Sequence, residues 1–491
     1  MVVKVLYCVS EAVPYAKTGG LADVAGALPG ALRALGHDVR LILPRYRSIS
    51  LDSLKPVFPL RIEVGGEPVG GLVLEGESPS GVPVYFVDCP RFYDRGGLYG
   101  EGGRDYSDNL ARFAFFSRAA MAVAAQAFPP DLVHSNDWHT ALIPLYLHQR
   151  ERAGQRSWPT LLTIHNIAMQ GLFPAQEFSG LGLLDEYFSP DGLEFWGRVN
   201  CLKGGLRFAD VLNTVSETYA REIQTAEFGS GLEGLLTRRR RDLFGVLNGV
   251  DYSQWDPRVD AHLPARYGPD NLDGKRFCKR ALQQEGGLET LPYAPLLGMV
   301  SRLTDQKGCD LVAAVLPALL EQGAQFVLLG TGDPRYHALF THLARTNPRQ
   351  VFAALTFDEG LAHRIEGGAD LFLMPSRFEP SGLNQLYSLR YGTIPVVRRT
   401  GGLADSVVDT TPATLADGTA TGFVFDEYTP QAFLGALDRA LAAFRDPVLW
   451  GRIQQTGMRA DFSWDRSAAR YAALYREAVG RRVGGLAGET A

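Results

Sequence analysis

The chain alternates short apolar runs with helical stretches, and the alternation starts twice. The first run, Val2 to Val9, leads through a Gly19-Gly20 turn to Leu21, Val24, Ala25, Leu28, Leu32 and Leu35, which share one face at helical spacing. Gly36 stops that helix, and Val39 to Leu43 completes a βαβ unit. Strand-like runs recur at Val82 to Val87, Leu132 to His134, Thr160 to Ile164 and Val211 to Thr214, separated by helical stretches such as Leu110 to Ala127. The pattern restarts at Pro295 to Val300, with a helix from Cys309 to Leu320. It continues through Gln325 to Leu329, Leu371 to Met374 and Ile394 to Val397. Alternation of this kind builds parallel sheets, and two starts predict two doubly wound α/β domains. The turn at Asn248-Gly249 divides them into 1–248 and 249–462. Trp464, Ala468, Tyr471 and Tyr475 mark a closing helix over 463–479, and 480–491 reads as a tail.

Ligands on such sheets lie beyond the carboxyl ends of the strands, and between two such domains the natural site is a cleft. The chemistry-bearing residues do follow strands. The hexapeptide Thr-Gly-Gly-Leu-Ala-Asp occurs as Thr18 to Asp23 and again as Thr400 to Asp405. A glycine pair opening a helix permits left-handed dihedrals and aims backbone N–H groups at one spot, a ready anion site. Lys17 adds charge beside the first copy, Arg398 and Arg399 beside the second. Only seven of the 49 basic residues are lysines. Two of these, Lys17 and Lys307, sit in strand-to-helix turns, where a compact point charge has a use.

After the strand 295–300, Arg302 and Lys307 place two cations in what reads as an open turn, suited to a pyrophosphate. At an effective dielectric of ~20 and ~4 Å, each charge pair is worth about 4 kcal/mol before desolvation. After the strand 371–374, Glu379 sits between a proline and the small-residue turn Ser381-Gly382-Leu383. A carboxylate there suits sugar hydroxyls and the N–H groups of Gly382 and Leu383 suit a phosphate; the competing use is a helix cap at Ser381. Ser135-Asn136-Asp137-Trp138-His139 is polar and aromatic, as sugar sites are, and His165-Asn166 closes the strand 160–164.

Composition excludes several classes. The net charge of -5 suggests no nucleic-acid partner. No apolar run approaches the ~18 residues of a membrane span. Five scattered cysteines without a Cys-x-x-Cys read as reduced, packed thiols of a cytoplasmic protein. Gly229 to Gly234 matches a dinucleotide fingerprint but follows a polar helical stretch, so it reads as a mobile glycine loop. No Asp-x-Asp is present, so neither a metal site nor a cofactor is expected, and cations and helix termini take the metal's place.

Lys17 to Leu21, His165-Asn166, Ser301-Arg302-Leu303 with Gln306-Lys307-Gly308, and Pro375 to Leu383 together resemble the bacterial glycogen and starch synthases. Asn248-Gly249-Val250-Asp251 and Arg399 to Leu403 match as well, in order and over essentially the whole chain. The resemblance implies a GT-B fold, two Rossmann-like domains facing a cleft with the last helix crossing back to the first. It implies retaining transfer of glucose from ADP-glucose to the non-reducing 4-OH of an α-1,4-glucan such as glycogen. A UDP-glucose-dependent enzyme of the sucrose or trehalose type is the alternative. By position, Lys17, Gly19 and Gly20 would meet the nucleotide phosphates, with Asp23 and Tyr99 nearby, and Arg302 and Lys307 would neutralise the leaving diphosphate. His165 would lie against the glucose with Asp137 and Asn166 close by. Glu379 would bind its hydroxyls, and Ser381, Gly382, Leu383 and Asn248 complete the substrate set. Phe357 replaces the family's usual tyrosine under adenine, Ser381 its usual cysteine, and Tyr387 the second acid of related transferases. That last change argues against a mechanism needing a glutamate there. No covalent nucleophile stands out, which favours departure of ADP with front-face attack.

Overall fold

The structure, a computed structural model, describes residues 2–488. The chain divides into two units, Met1–Gly249 with Trp464–Ala491, and Val250–Ser463.

The N-terminal unit is built on strands whose residues are almost all buried, as expected for parallel strands covered on both faces. Its nine-stranded sheet runs Leu243–Gly245, Val211–Thr214, Thr160–Ile164, Leu132–Asn136, Lys4–Cys8, Asp38–Pro44, Pro83–Asp88, Glu67–Glu77, Lys55–Val64. The first seven are parallel and the last two antiparallel. Lys4–Cys8 lies between Asp38–Pro44 and Leu132–Asn136, so the strand order reverses there. The hairpin Lys55–Val64/Glu67–Glu77 was missed in the sequence. Its signal was the Gly65-Gly66 pair, both at positive φ, which forms the two-residue turn.

The closing helix runs Trp464–Gly488, through Gly480, where the sequence reading ended it. The physical reason follows Gly480 directly. Arg481 pairs with Asp242 and Glu477, and Arg482 with Asp210 and Glu151, so ion pairs carry the helix past its glycine. Of the expected tail, 489–491 lie outside the described residues. Tyr471 and Tyr475 of this helix are fully buried. The Tyr475 hydroxyl lies 2.9 Å from His134 Nδ1, and His134 Nε2 lies 2.6 Å from Thr163 Oγ1. His134 is thereby a structural histidine.

The C-terminal unit holds a six-stranded parallel sheet in the order Val351–Ala354, Gln325–Leu329, Leu296–Val300, Leu371–Met374, Ile394–Arg398, Phe423–Phe425. Numbered along the chain, that is the doubly wound order 3-2-1-4-5-6, reversing between Leu296–Val300 and Leu371–Met374. The loops after those two strands touch backbone to backbone. Gly308 has φ 73°, and a Cβ on it would lie 2.2 Å from Pro375 O. A Cβ on Gly402 would lie 2.0 Å from Ser381 O. The Gly402 N–H donates to Glu379 O and Pro380 O, both at 3.1 Å. The second hexapeptide copy therefore serves close packing, and its glycine N–H is not offered to an anion. At the first copy Gly19 is extended (φ -158°) and a Cβ on it would lie 3.9 Å from Glu11 Oε1, so neither handedness nor close packing within the protein requires glycine there.

Gly308→Ala and Gly418→Ala separate these two uses of glycine. Gly418 is also left-handed (φ 74°) but has nothing within 4 Å of its Cβ position. Gly418→Ala should cost roughly 1–2 kcal/mol for backbone handedness alone. Gly308→Ala should cost clearly more in urea unfolding, and lower turnover as well, because it displaces the loop leading to Glu379. Equal losses at the two positions would refute the close-approach account.

Candidate active site

At the reversal of the N-terminal sheet, the loop after Lys4–Cys8 is organised by a residue the sequence reading did not single out. Glu11 is 2% exposed. Its carboxylate accepts the Thr18 N–H at 2.8 Å, the Thr18 hydroxyl at 2.5 Å and the Gly19 N–H at 3.2 Å. Burial raises its pKa, and these bonds with one from Tyr99 oppose the rise. The Gly19 N–H, expected to face an external anion, is thus held by the protein's own carboxylate. The helix Gly20–Ala34 then begins with no side-chain cap. Lys17 is exposed and lies 2.7 Å from Asp23 in the first turn of that helix. The available signal for Glu11 was a carboxylate three residues beyond a buried strand.

Asp137 follows the adjacent strand Leu132–Asn136 at φ 53°, a left-handed conformation uncommon outside glycine and often kept at functional positions. It is buried, accepts the His165 N–H at 2.7 Å and also bonds the Asn166 N–H. Burial pushes its carboxyl up to about 7. Asp137 thus fixes the His165-Asn166 turn. The Asn166 Oδ1 accepts the Ala168 N–H at 3.0 Å and shapes the same turn.

Burial holds the His165 imidazole neutral, its pKa down to about 3. Its Nε2 lies 3.0 Å from Asn136 Oδ1. That oxygen also accepts from Tyr7 OH at 3.1 Å, while Asn136 Nδ2 donates to Cys8 O at 3.0 Å, which fixes the amide's orientation. Nε2 therefore carries the proton, and Nδ1 is the acceptor. Tyr99 places its hydroxyl 2.7 Å from Ser10 Oγ and its ring 4.6 Å from that of His139, which stacks on Trp138 at 4.0 Å. The glycine stretch 229–234 is tied into this region: Gln170 Nε2 donates to Ser230 O at 3.0 Å, and Phe195 lies against Gly231.

In the C-terminal unit the structure joins Lys307 directly to Glu379, Nζ to Oε2 at 2.6 Å, with the Ser376 hydroxyl donating to the same oxygen at 3.0 Å. Both side chains are mostly buried. The expectation of two cations in an open turn thus holds for exposed Arg302 and fails for Lys307, since a carboxylate as buried as Glu379 keeps its charge only with a cation and a donor beside it. Ser381 does not cap a helix. The helix Asn384–Tyr391 begins later, with Leu383 at its cap position and no side-chain cap bond. Gly382 is left-handed (φ 67°), and Gln385 Nε2 donates to Ser381 O at 2.9 Å. Phe357 is 77% exposed in the loop after Val351–Ala354. Tyr387 stacks on Trp255 at 3.8 Å and 3°, a packing position.

Buried polar atoms normally find partners. Among the described residues His139 Nδ1, Asn248 Oδ1, Thr304 Oγ1, Ser381 Oγ and Gln385 Oε1 have none. No group of three or more His, Cys, Asp or Glu among the described residues is placed to hold a metal ion. No described helix is long and apolar enough to cross a membrane. All five cysteines are buried and free.

Residues 4–238 match the family model of the starch synthase catalytic domain, and residues 291–446 that of glycosyl transferases group 1. The chain is 54% identical to the glycogen synthase of Anaeromyxobacter dehalogenans (strain 2CP-1), over 96% of this chain and 98% of that one. It is 48% identical to the glycogen synthase of Syntrophotalea carbinolica, over 97% and 99%. Among solved structures it is similar to the catalytic domain of starch synthase IV from Arabidopsis thaliana bound to ADP and acarbose. The TM-score is 0.90 at 36% identity, covering 98% of this chain and all of that one. The sucrose-phosphate synthase of Thermosynechococcus elongatus shares the fold alone, with a TM-score of 0.57 at 18% identity over 96% of this chain and 98% of that one. The chain belongs to the glycogen synthase family, two-domain α/β hexosyltransferases of the GT-B fold that transfer a hexosyl unit from a nucleotide-sugar donor to a glucan acceptor.

Proposed function

We propose that the protein acts in the cytoplasm, transferring glucose from ADP-glucose to the non-reducing 4-OH of an α-1,4-glucan with retention of configuration. The observation that carries this reading is Glu379, a buried carboxylate fixed by Ser376 and Lys307 where the C-terminal sheet reverses its strand order. In this reading Glu379 binds the glucose hydroxyls, and Lys307 and Arg302 balance the charge of the departing diphosphate. The N–H groups of Gly382 and Leu383 reach a phosphate oxygen, and Ser381 Oγ is a further donor. Phe357 offers its exposed ring face to adenine. Lys17 and the N–H at the uncapped helix start, Gly20, meet the nucleotide phosphates, while Gly19, held by Glu11, shapes the turn; Asp23 orients Lys17 and Tyr99 supports the Glu11 loop. His165 accepts a glucose hydroxyl at Nδ1, while Asp137 and Asn166 hold its turn and Asn248 contributes its Oδ1.

Given retention, the way the carboxylates are used limits the route. Asp137 is committed to the His165 and Asn166 N–H groups, and Glu11 to Thr18 and Gly19. Neither is disposed as a covalent nucleophile, so ADP departs first and the acceptor attacks from the face it leaves.

Turnover with glycogen should be much faster on ADP-glucose than on UDP-glucose. A preference for UDP-glucose with a small sugar acceptor would instead place the chain with the sucrose-type transferases. EDTA should leave most of the activity intact; a metal-rescued loss would show that the cations do not suffice.

Arg302→Ala should cost about 10²–10³ in kcat, the scale for deleting one stabiliser of developing charge, with the melting temperature unchanged. Lys307→Ala should lose stability as well, by roughly 3–5 kcal/mol, because it leaves Glu379 buried and unpaired.

Asp137 sets the pH behaviour. Its carboxylate form is the better acceptor for the two N–H groups, so kcat should rise with pH along an acid limb well above the usual carboxylate range, near 7. Stability moves the opposite way. The folded carboxyl keeps its proton beyond the ordinary value of 3.8, so its contribution is full below that pH and is lost as pH rises through about 7. Asp137→Asn should flatten both profiles, read as kcat and melting temperature against pH. An acid limb that survives in Asp137→Asn belongs to another group.

A further inference from the structure

Outside these loops the N-terminal unit carries an exposed tryptophan, Trp196. Leu172–Pro174, Arg198–Asn200 and Glu194–Phe195 form a three-stranded antiparallel sheet, in that order. It continues the loop that begins at His165: Leu172 pairs with Asn200, and Gln170 Oε1 accepts from Asn200 Nδ2 at 2.7 Å. Trp196 and Gly197 form its two-residue turn, at φ 51° and 74°. Trp196 is 85% exposed, while the other five tryptophans are buried or half-buried.

Neither property helps the fold. A bulky side chain is disfavoured in left-handed backbone, where Asn or Gly fits a two-residue hairpin. An exposed indole gains nothing from burial. The turn is nevertheless held firmly. Glu194 Oε1 accepts the Gly197 N–H at 2.7 Å, and the Lys203 ammonium donates to the Glu194 and Pro190 carbonyls. Phe195 meets the Trp196 ring edge-on at 6.3 Å and packs on Gly231. A flat apolar face on a fixed turn, flanked by Glu194 and Arg198, suits a pyranose: its C–H face stacks on the indole and its hydroxyls meet the charged groups.

We propose that Trp196 is a platform for a glucosyl unit of the α-1,4-glucan acceptor, some units away from the reacting end. The turn lies three residues from the Leu172–Asn200 pair, about 10 Å at ~3.3 Å per residue. This rests on the glucan acceptor of the proposed function. It explains why a strained, exposed tryptophan is kept on the extension of the His165 loop.

Trp196→Asn and Trp196→Phe test it. Asparagine accepts left-handed backbone, so Trp196→Asn should melt no lower than the native protein. It should raise KM for maltoheptaose and glycogen about 5- to 10-fold. KM for maltose, KM for ADP-glucose and kcat at saturating acceptor should stay within about 2-fold. Trp196→Phe should restore most of the long-acceptor affinity. Maltoheptaose added without donor should change the native tryptophan emission and leave that of Trp196→Asn unaltered. An unchanged KM for maltoheptaose in Trp196→Asn, or an emission change that persists in it, overturns the platform. So does an equal rise for maltose and maltoheptaose, which puts Trp196 at the reacting end. The two readings fail separately: a native protein that transfers no glucose to glycogen refutes the function, while the donor-free emission measurement still decides the platform.

Discussion

Contact between backbones that follow neighbouring parallel strands is the constraint on which the C-terminal unit's chemistry depends. Gly308 abuts Pro375, and Gly401 and Gly402 abut Glu379 to Ser381, at separations no side chain tolerates. Arg377 N donates to Gln306 O at 2.8 Å and joins the two loops directly. Only because these loops meet does Lys307, on one, reach Glu379, on the other, 72 residues later. A carboxylate as buried as Glu379 is stable when a cation and a donor share its charge, and the glycines decide whether they do.

The N-terminal unit solves the same problem with carboxylates in place of glycines. Glu11 and Asp137 are both buried, both raised by burial, and both spend their oxygens on backbone N–H groups of a loop that follows a strand. Each acts as an internal anion that gives an irregular segment one conformation. Burial of the charge opposes this and the N–H bonds favour it, so the balance depends on protonation. A raised carboxyl is what such a compromise produces. The histidine that Asp137 helps to position, His165, is held neutral by burial and offers Nδ1 as an acceptor.

Much of this was legible in the sequence, for identifiable reasons. The parallel strands were visible because burial on both faces leaves them almost wholly apolar; four of the second unit's six strands agree with the apolar runs to within a residue, and the short edge strands Val351–Ala354 and Phe423–Phe425 were not read. The hairpin 55–77 escaped because an edge strand with one covered face carries Lys55, Arg61 and Glu63 among its apolar residues. Glu11 escaped because two of its partners are backbone N–H groups and the others, Thr18 and Tyr99, form no local side-chain pattern with it. The hexapeptide repeat drew attention to both glycine pairs, and both do open helices, but it could not say that the second pair packs against backbone carbonyls. That difference lies in what each loop meets across the sheet.

Tyr387 shows how far one substitution alters the chemistry available. Where related transferases carry a second acid, this chain places a ring parallel to Trp255, whose other face stacks on His363 at 3.7 Å. His363 in turn bonds Asp260 at 2.7 Å. A carboxylate at that position would have to leave water to stack on an indole. The three-ring stack replaces a charge with dispersion and apolar burial, and leaves Glu379 as the carboxylate of the loop that faces the reversal of the sheet. Under the proposed function, in which Arg302 and Lys307 balance a departing diphosphate, that replacement helps, because each further fixed negative charge nearby would oppose the growth of negative charge on the leaving group.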